Sequence, residues 1–575
     1  MALNIAALMR YVNGTIPNHT AANDKAADFP EYRDNLDLAF KYYSLGLASG
    51  AATPLGTSDE ADIRLLEIFP HPTGSGRIRC ALHHYCFLVP ARRISYIALS
   101  YVWGTQEEDR LIVIDGKGFL VTENLQTILW HLRQSNRSVY VWIDAICIYQ
   151  RMKAEKEMQV SMMNDIFGTA DEVVVYLGEE ADNSDLVVDF AEVVLKKLLA
   201  LQDSQPDVTI REEDLGKFGL PPVTDPGWVA LHDVFKRPWF ERKWIVQEYA
   251  LAKLITCILG SSRFNFELLI LTHKLCLQHK LDRIYLGWRS RLTIPREHPL
   301  TILATIRDLI RHNYDEDATA EVKTLPWLLA ATSYAKVSRY PHDHIYALLG
   351  LHQVSGSFLG LPYPVVNYER SVEDVFIDYA CIDDWTKADA EVSLLELASQ
   401  SKNLNLPSWV PDWTCTTSLE YILHPGPSAA FGASVGKDRS EFIFDRTGKK
   451  LSVRAAMFDH ITEMIPDVLS EDLPEAWAKE YGSMGRMGFG YLTELSKQRR
   501  CTTSKGYRVL VHESCQVGDL VIIILGERVP FVVRHARFWW RLVGCAYFSS
   551  IMQGEGLDSN SPYYVGSTTR SLTLV

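Results

Sequence analysis

The chain has 575 residues, of which 47% are hydrophobic and 11% aromatic. That is enough for two or three cored units and too apolar for a disordered chain. A net charge of -13 argues against a general binder of phosphate backbones, so no nucleic-acid partner is expected, although a local basic pocket for a nucleotide remains compatible. Ten scattered cysteines, the lack of a basic leader, and no apolar run near the ~20 residues of a membrane span predict a reduced, cytoplasmic protein without a transmembrane segment.

Residues 1–60 are Ala- and Asn-rich and predict a short N-terminal helical extension ending in a loop through Ala51–Asp59. Ile63–Ile68 opens a strongly patterned region. Tyr96–Trp103 (YIALSYVW) has the length and apolarity of a strand. Thr122 is placed to cap a helix with Leu125, Ile128, Leu129 and Leu132 on one face. Val139–Ile148 (VYVWIDAICI) reads as a strand covered on both faces. Met158, Met162, Met163, Ile166 and Phe167 form the next helical stripe, which Gly168 ends. Glu172–Gly178 is a third strand, Leu186–Leu201 a helix, and Leu231–Lys253 more helix before a strand at Leu254–Leu259.

Alternating strand and helix predict a parallel sheet with helices on both faces over residues 61–260. Ligands of such sheets sit beyond the carboxyl ends of the strands, which directs attention to Ser100–Gly104 and Asp144–Gln150. Residues 261–400 predict a helical region, including His344–Leu351 and Ser371–Cys381. Pro407–Trp413 (PSWVPDW) is a rigid aromatic junction. Residues 401–575 are mixed and strand-rich: a hairpin across Phe442–Met457, then strands at Leu520–Leu525, Pro530–Val533 and Trp539–Tyr547, read as a small antiparallel sheet or barrel.

Several of these stretches, in one order, resemble the fungal heterokaryon-incompatibility (HET) family. They are Tyr96–Gly104 (YIALSYVWG), Val141–Gln150 (VWIDAICIYQ), Glu155–Gly178 and Arg237–Lys253 (RPWFERKWIVQEYALAK). Asp343–Leu351, Pro407–Trp413 and Gly518–Glu555 resemble the family's downstream segments. Three positions depart from its pattern: Tyr149 stands for Asn, Arg339–His344 (RYPHDH) is altered, and Ser549–Ser550 replaces a His-Gly pair. The resemblance implies a TIR-like α/β core and a role in fungal non-self recognition that ends in cell death. Its partner would be another copy of the chain or a separate incompatibility protein. TIR domains that cleave NAD carry a glutamate four residues after a helical tryptophan, and Trp244 and Glu248 have that spacing.

On that basis Glu248 is the candidate catalytic carboxylate. It would hydrogen-bond ribose hydroxyls and stabilise an oxocarbenium-like state, with NAD as a substrate and no cofactor. The competing assignment is a structural carboxylate paired with Arg242, Lys243 or a backbone amine. Ser100, Trp103, Gly104, Asp144 and Trp244 are the candidate nucleotide-binding residues. Trp103 or Trp244 would stack on a flat heterocycle. Asp144 either orients a ribose or loop amides, or caps the following turn. Arg237 and Arg242 would meet a phosphate or an acidic side chain, the latter being favoured. Cys147 reads as a buried, inert thiol. Cys80, His84 and Cys86 resemble part of a metal site, but their spacing is unusual and no fourth ligand is evident, so no metal is expected. The clusters Trp239, Phe240, Trp244 and Trp409, Trp413 read as core. Kinase, dehydrogenase, hydrolase-elbow and zincin motifs are missing. Two other readings stand beside NAD cleavage. One is the same scaffold recruited as a cyclisation or cycloaddition enzyme of fungal specialised metabolism, acting on a small-molecule substrate. The other is a non-catalytic interaction module.

Overall fold

The computed structural model describes residues 62–72, 76–86, 93–104, 107–202, 204–281, 284, 299–312, 325–333, 335–337, 339–354, 366–382, 393–399, 404–415, 442–465, 498–548, 551, 556–562 and 569–575. The expected N-terminal extension, Ser549–Ser550 and Met552–Glu555 lie outside them. The chain divides into two compact units, the first built mainly from residues 1–288 and the second mainly from residues 355–575.

The described residues of unit 1 are organised on a nine-stranded sheet. Its strands are β1 (Asp62–Ile68), β2 (Arg79–Cys86), β3 (Ile97–Ser100), β4 (Glu108–Ile114), β5 (Lys117–Thr122), β6 (Val139–Trp142), β7 (Glu172–Tyr176), β8 (Ile255–Leu259) and β9 (Ser262–Asn265). Their spatial order is β5-β4-β2-β1-β6-β3-β7-β8-β9. The sheet is mixed, and the expected parallel arrangement with helices forms its core. Its parallel core is β6-β3-β7-β8, whereas β1 runs antiparallel to β2 and β6, β4 to β5 and β8 to β9. The short connections Asp115–Gly116 and Gly260–Ser261 allow only hairpins, whereas the core strands are joined through helices. Within that core the chain passes from β3 to β6 on one side and then to β7 on the other. β3 therefore marks the switch point at which a crevice forms beyond the strand ends.

The first helix, α1 (Glu123–Leu132), starts where the sequence predicts. Thr122 Oγ1 accepts the Leu125 amide at 3.2 Å, and Leu125, Ile128, Leu129 and Leu132 are buried. Two expectations fail nearby. The apolar run Val139–Ile148 is not one strand: β6 ends at Trp142, and Asp144–Cys147 forms a single helical turn, α2. A short run that is buried all round has no period to distinguish strand from helix. The stripe Met158–Phe167 belongs to two helices, α3 (Lys153–Ser161) and α4 (Met163–Thr169), broken at Met162. Gly168 lies inside α4, and Ala170 is the residue that ends it.

Helices α5 (Val187–Gln202), α6 (Pro226–Val234), α7 (Ile245–Ala250), α8 (Glu267–Gln278) and α9 (Pro299–His312) complete the described part of unit 1. The packing of α5 on α6 is tight enough to require glycine at 227, where an added Cβ would lie 1.9 Å from the Phe190 ring. In the helical stretch that follows are α10 (Leu325–Ala331), α11 (Asp343–Val354), α12 (Val372–Ala380) and α13 (Leu394–Ala398).

Among its described residues unit 2 carries eight strands: β10 (Ile443–Asp445), β11 (Lys450–Ile465), β12 (Gln498–Thr503), β13 (Arg508–His512), β14 (Leu520–Ile524), β15 (Phe531–Ala536), β16 (Trp539–Tyr547) and β17 (Arg570–Leu574). Pairing of β11 with both β12 and β14 closes six of them into a barrel, β11-β12-β13-β16-β15-β14. Val509, Val511, Val521, Ile523, Val532 and Ala546 fill its core. The Trp409 indole donates to the Lys449 carbonyl at 3.2 Å, and Trp413 packs edge-on against Phe376, so both rings are core residues of this unit.

Candidate functional site

The carboxyl ends of β3 and β6 bring together side chains far apart in the chain. Ser100 is the last residue of β3, and Asp144 begins α2 just beyond β6. Glu248 lies in the single-turn helix α7, with its amide bonded to the Trp244 carbonyl at 3.1 Å. All six residues of α7 are buried, Glu248 itself at 3% exposure.

A hydrogen-bond chain runs through this point. Trp239 Nε1 donates to Ser100 Oγ at 2.8 Å, and the Ser100 hydroxyl donates to Glu248 Oε2. Arg242 reaches both carboxylate oxygens, with Nη1 3.3 Å from Oε2 and Nη2 3.4 Å from Oε1. The arginine is the more open partner, its side chain 22% exposed against 4% for Glu248. Burial pushes the Glu248 carboxyl above the usual carboxylate range, while Arg242 and the Ser100 hydroxyl pull it back.

A second carboxylate stands beside the first. Asp144 Oδ2 accepts the Trp103 indole at 2.8 Å, and Oδ1 accepts the Ala145 amide at 2.7 Å. The Tyr101 hydroxyl also bonds Asp144. Burial raises the Asp144 carboxyl, opposed by Arg242 and these donors. Desolvation, with Asp144 alongside, holds the buried Tyr101 phenol well above its ordinary value. Arg242 thus acts electrostatically on both carboxylates.

The loop over the site is pinned from α1. Asn124 donates to the Val102 carbonyl and Thr122 Oγ1 to the Trp103 carbonyl. Gly104 closes the loop at φ +78°, a conformation that strains any side chain, with Asn124 Cβ only 3.4 Å from where its own Cβ would be. The α2 turn is held from below. The Arg64 guanidinium donates to Glu155 Oε1 at 2.6 Å and Oε2 at 3.0 Å, and also to the Cys147 carbonyl at 3.0 Å. Glu155 Oε1 accepts the Tyr149 amide at 2.7 Å. Both members of this pair are 1% exposed.

Of the residues singled out in the sequence, Ser100 and Glu248 touch each other, Trp103 touches Asp144, and Gly104 forms the exposed end of their loop. Trp244 is half-buried at the start of α7. The indole that enters the hydrogen-bond chain is that of Trp239, which the sequence suggests only as core. Its role and that of Tyr101 leave no local signal, since their partners Ser100 and Asp144 lie 139 and 43 positions away. Arg237 donates to the Leu177, Glu179 and Ala181 carbonyls. Burial lowers the Lys243 ammonium to about 7, and raises the Cys147 thiol to about 12, as an inert thiol requires. Among the described residues no group of three or more His, Cys, Asp or Glu could hold a metal ion. Nor is any helix among them long and apolar enough to cross a membrane.

Residues 96–248 match the family model described as heterokaryon incompatibility protein (HET), a span that begins just before β3 and ends on Glu248. The chain is similar to "Heterokaryon incompatibility protein 6, OR allele" of Neurospora crassa, being 29% identical over 413 residues, or 62% of this chain. The aligned region spans 58% of that relative's length. No solved structure matches the chain significantly. Residues 96–248 thus form a domain that matches the heterokaryon incompatibility (HET) family, and the chain around it is similar to a protein of that name.

Proposed function

We propose that the protein acts in fungal non-self recognition and cell death, and that its HET domain hydrolyses the nicotinamide–ribose bond of NAD with Glu248 as the catalytic carboxylate. The observation that supports this is the buried Glu248 carboxylate, held by Ser100 and Arg242 at the switch point of a parallel sheet core. Breaking the bond sends its electron pair to the nicotinamide nitrogen and leaves positive charge on the ribose. A carboxylate at that point stabilises the charge, and water then adds to the anomeric carbon and releases one proton. Asp144 and the Trp103 ring, bonded to each other and half-buried, are where a ribose hydroxyl and a flat heterocycle would lie.

Substrate access requires Arg242 to give way. Its contacts to Glu248 are long, and it is the exposed member of the pair. Substrate hydroxyls would replace the guanidinium on a carboxylate that Ser100 keeps oriented. Wild-type protein at high concentration is expected to consume NAD and release nicotinamide, with at least about a hundredfold loss in Glu248→Gln, as for removal of a key electrostatic group. Folded wild-type protein that leaves NAD intact would overturn hydrolysis and favour an interaction module.

A further inference from the structure

We propose that the tip of the β15–β16 hairpin is a docking element for a membrane surface bearing anionic lipid. The strands are joined by a two-residue turn, Arg537–Phe538, with Arg537 in the left-handed region at φ +57°. Such turns ordinarily carry Gly, Asn or Asp, yet this one projects an aromatic ring. Phe538 is 88% exposed, and the next residue, Trp539, is 39% exposed.

The base of the tip is fixed while its end is bare. Across the strands, Ala536 faces Trp539, His535 faces Trp540 and Arg534 faces Arg541. The Trp540 ring meets His535 edge-on at 5.1 Å, and the Val575 amide donates to the Trp540 carbonyl at 2.9 Å. The aromatic end is ringed by cations. The Lys450 ammonium lies 4.1 Å over the Trp539 ring, and Arg537 and Arg541 are exposed.

Three acids of this unit have partners of their own. Asp519 is held by Arg534 at 2.7 Å, Asp374 binds Lys449 at 3.0 Å, and Asp445 accepts the Gly448 amide at 2.8 Å. A basic aromatic point thus stands on a chain whose net charge is -13. A convex two-residue turn cannot enclose a ligand, but it can enter a soft surface. Phe and Trp rings partition into the headgroup boundary, while arginine and lysine side chains reach back to anionic headgroups.

Flotation of the full chain with vesicles tests this. Wild type is expected to float with phosphatidylcholine vesicles containing phosphatidylserine, not with phosphatidylcholine alone, and to be released by high salt. Phe538→Ser with Trp539→Ser should weaken partitioning about tenfold, and Arg537→Glu with Arg541→Glu should abolish the preference for phosphatidylserine. Unchanged thermal midpoints establish that the variants fold, and Phe538→Ser alone serves if the double variant does not. Lack of wild-type binding to phosphatidylserine vesicles, or equal binding by the variants, overturns the proposal. Self-association lost in the same variants, without vesicle binding, assigns the tip to a second copy of the chain and also overturns it.

Discussion

Glu248 illustrates how burial sets both stability and chemistry at one residue. Its folded-state pKa, like that of Asp144, lies above the ordinary carboxylate value because of desolvation. The folded protein therefore holds these protons more tightly than the unfolded chain. Their contribution to stability declines as pH rises from the unfolded pKa through the folded one. Glu248→Gln should flatten that decline and raise stability near neutral pH by about 1 kcal/mol, a typical gain from relieving a destabilised site. Urea unfolding on either side of the carboxylate range checks it, and a less stable variant at neutral pH would contradict it. Turnover should run the opposite way with pH, since the proposed chemistry needs the ionised carboxylate: NAD consumption should fall as pH drops through the raised Glu248 pKa. Ser100→Ala leaves the buried Trp239 Nε1 without its acceptor and should cost about 1–3 kcal/mol, read from the denaturation midpoint. An unshifted midpoint would show that Ser100 Oγ is dispensable to that indole.

At the scale of elements, the α2 turn is the least self-sufficient part of the site. Four residues cannot hold a helix by themselves. The turn stays in place because Arg64 on β1 and Glu155 on α3 grip the Cys147 carbonyl and the Tyr149 amide. Glu155→Ala leaves a charged guanidinium buried and should destabilise the protein by about 3–5 kcal/mol, whereas Arg64→Met with Glu155→Leu should recover most of that loss. Equal loss in the single and double variants, measured by chemical denaturation, would rule out an uncompensated charge as the cause. Much at this scale is legible in the sequence, including α1 with its Thr122 cap, β7, α5 and the β10–β11 hairpin. The misread pieces share a cause. In Val139–Ile148 and Met158–Phe167 every turn is apolar on the side that matters, so periodicity shows burial without showing where one element stops.

Across the whole molecule, one of the shortest pairings in the unit 2 barrel is that of β13 with β16, which spans Leu510 with Tyr547 and Val511 with Ala546. A Cβ at Gly544 would lie 2.5 Å from His512 Cβ, an atom too close to the backbone to step aside. Gly544→Val is expected to cost about 1–3 kcal/mol by overpacking. It should also speed amide exchange in β13 and β16, and unchanged exchange there would refute this account of the pairing. The strand-rich character of residues 401–575 is visible as short apolar runs punctuated by turn residues. Barrel closure is not, since it rests on β11 pairing with both β12 and β14 across long stretches of chain.

The sequence by itself determined the alternation of strand and helix in the core of the first unit, its α/β class, the strand-rich second unit and the family signature in stretches between Tyr96 and Lys253. These follow from local periodicity, capping and turn chemistry, which act over a few residues and are written in the chain. It also marked Ser100, Trp103, Asp144 and Glu248 as worth attention. Only the tertiary structure decided that Ser100 and Glu248 share a hydrogen bond across 148 positions, that Trp239 donates to Ser100, and that Arg242 contacts Glu248 and acts electrostatically on Asp144 as well. Those relations depend on strand pairing and burial, whose energies come from long-range contacts that no short window of sequence contains.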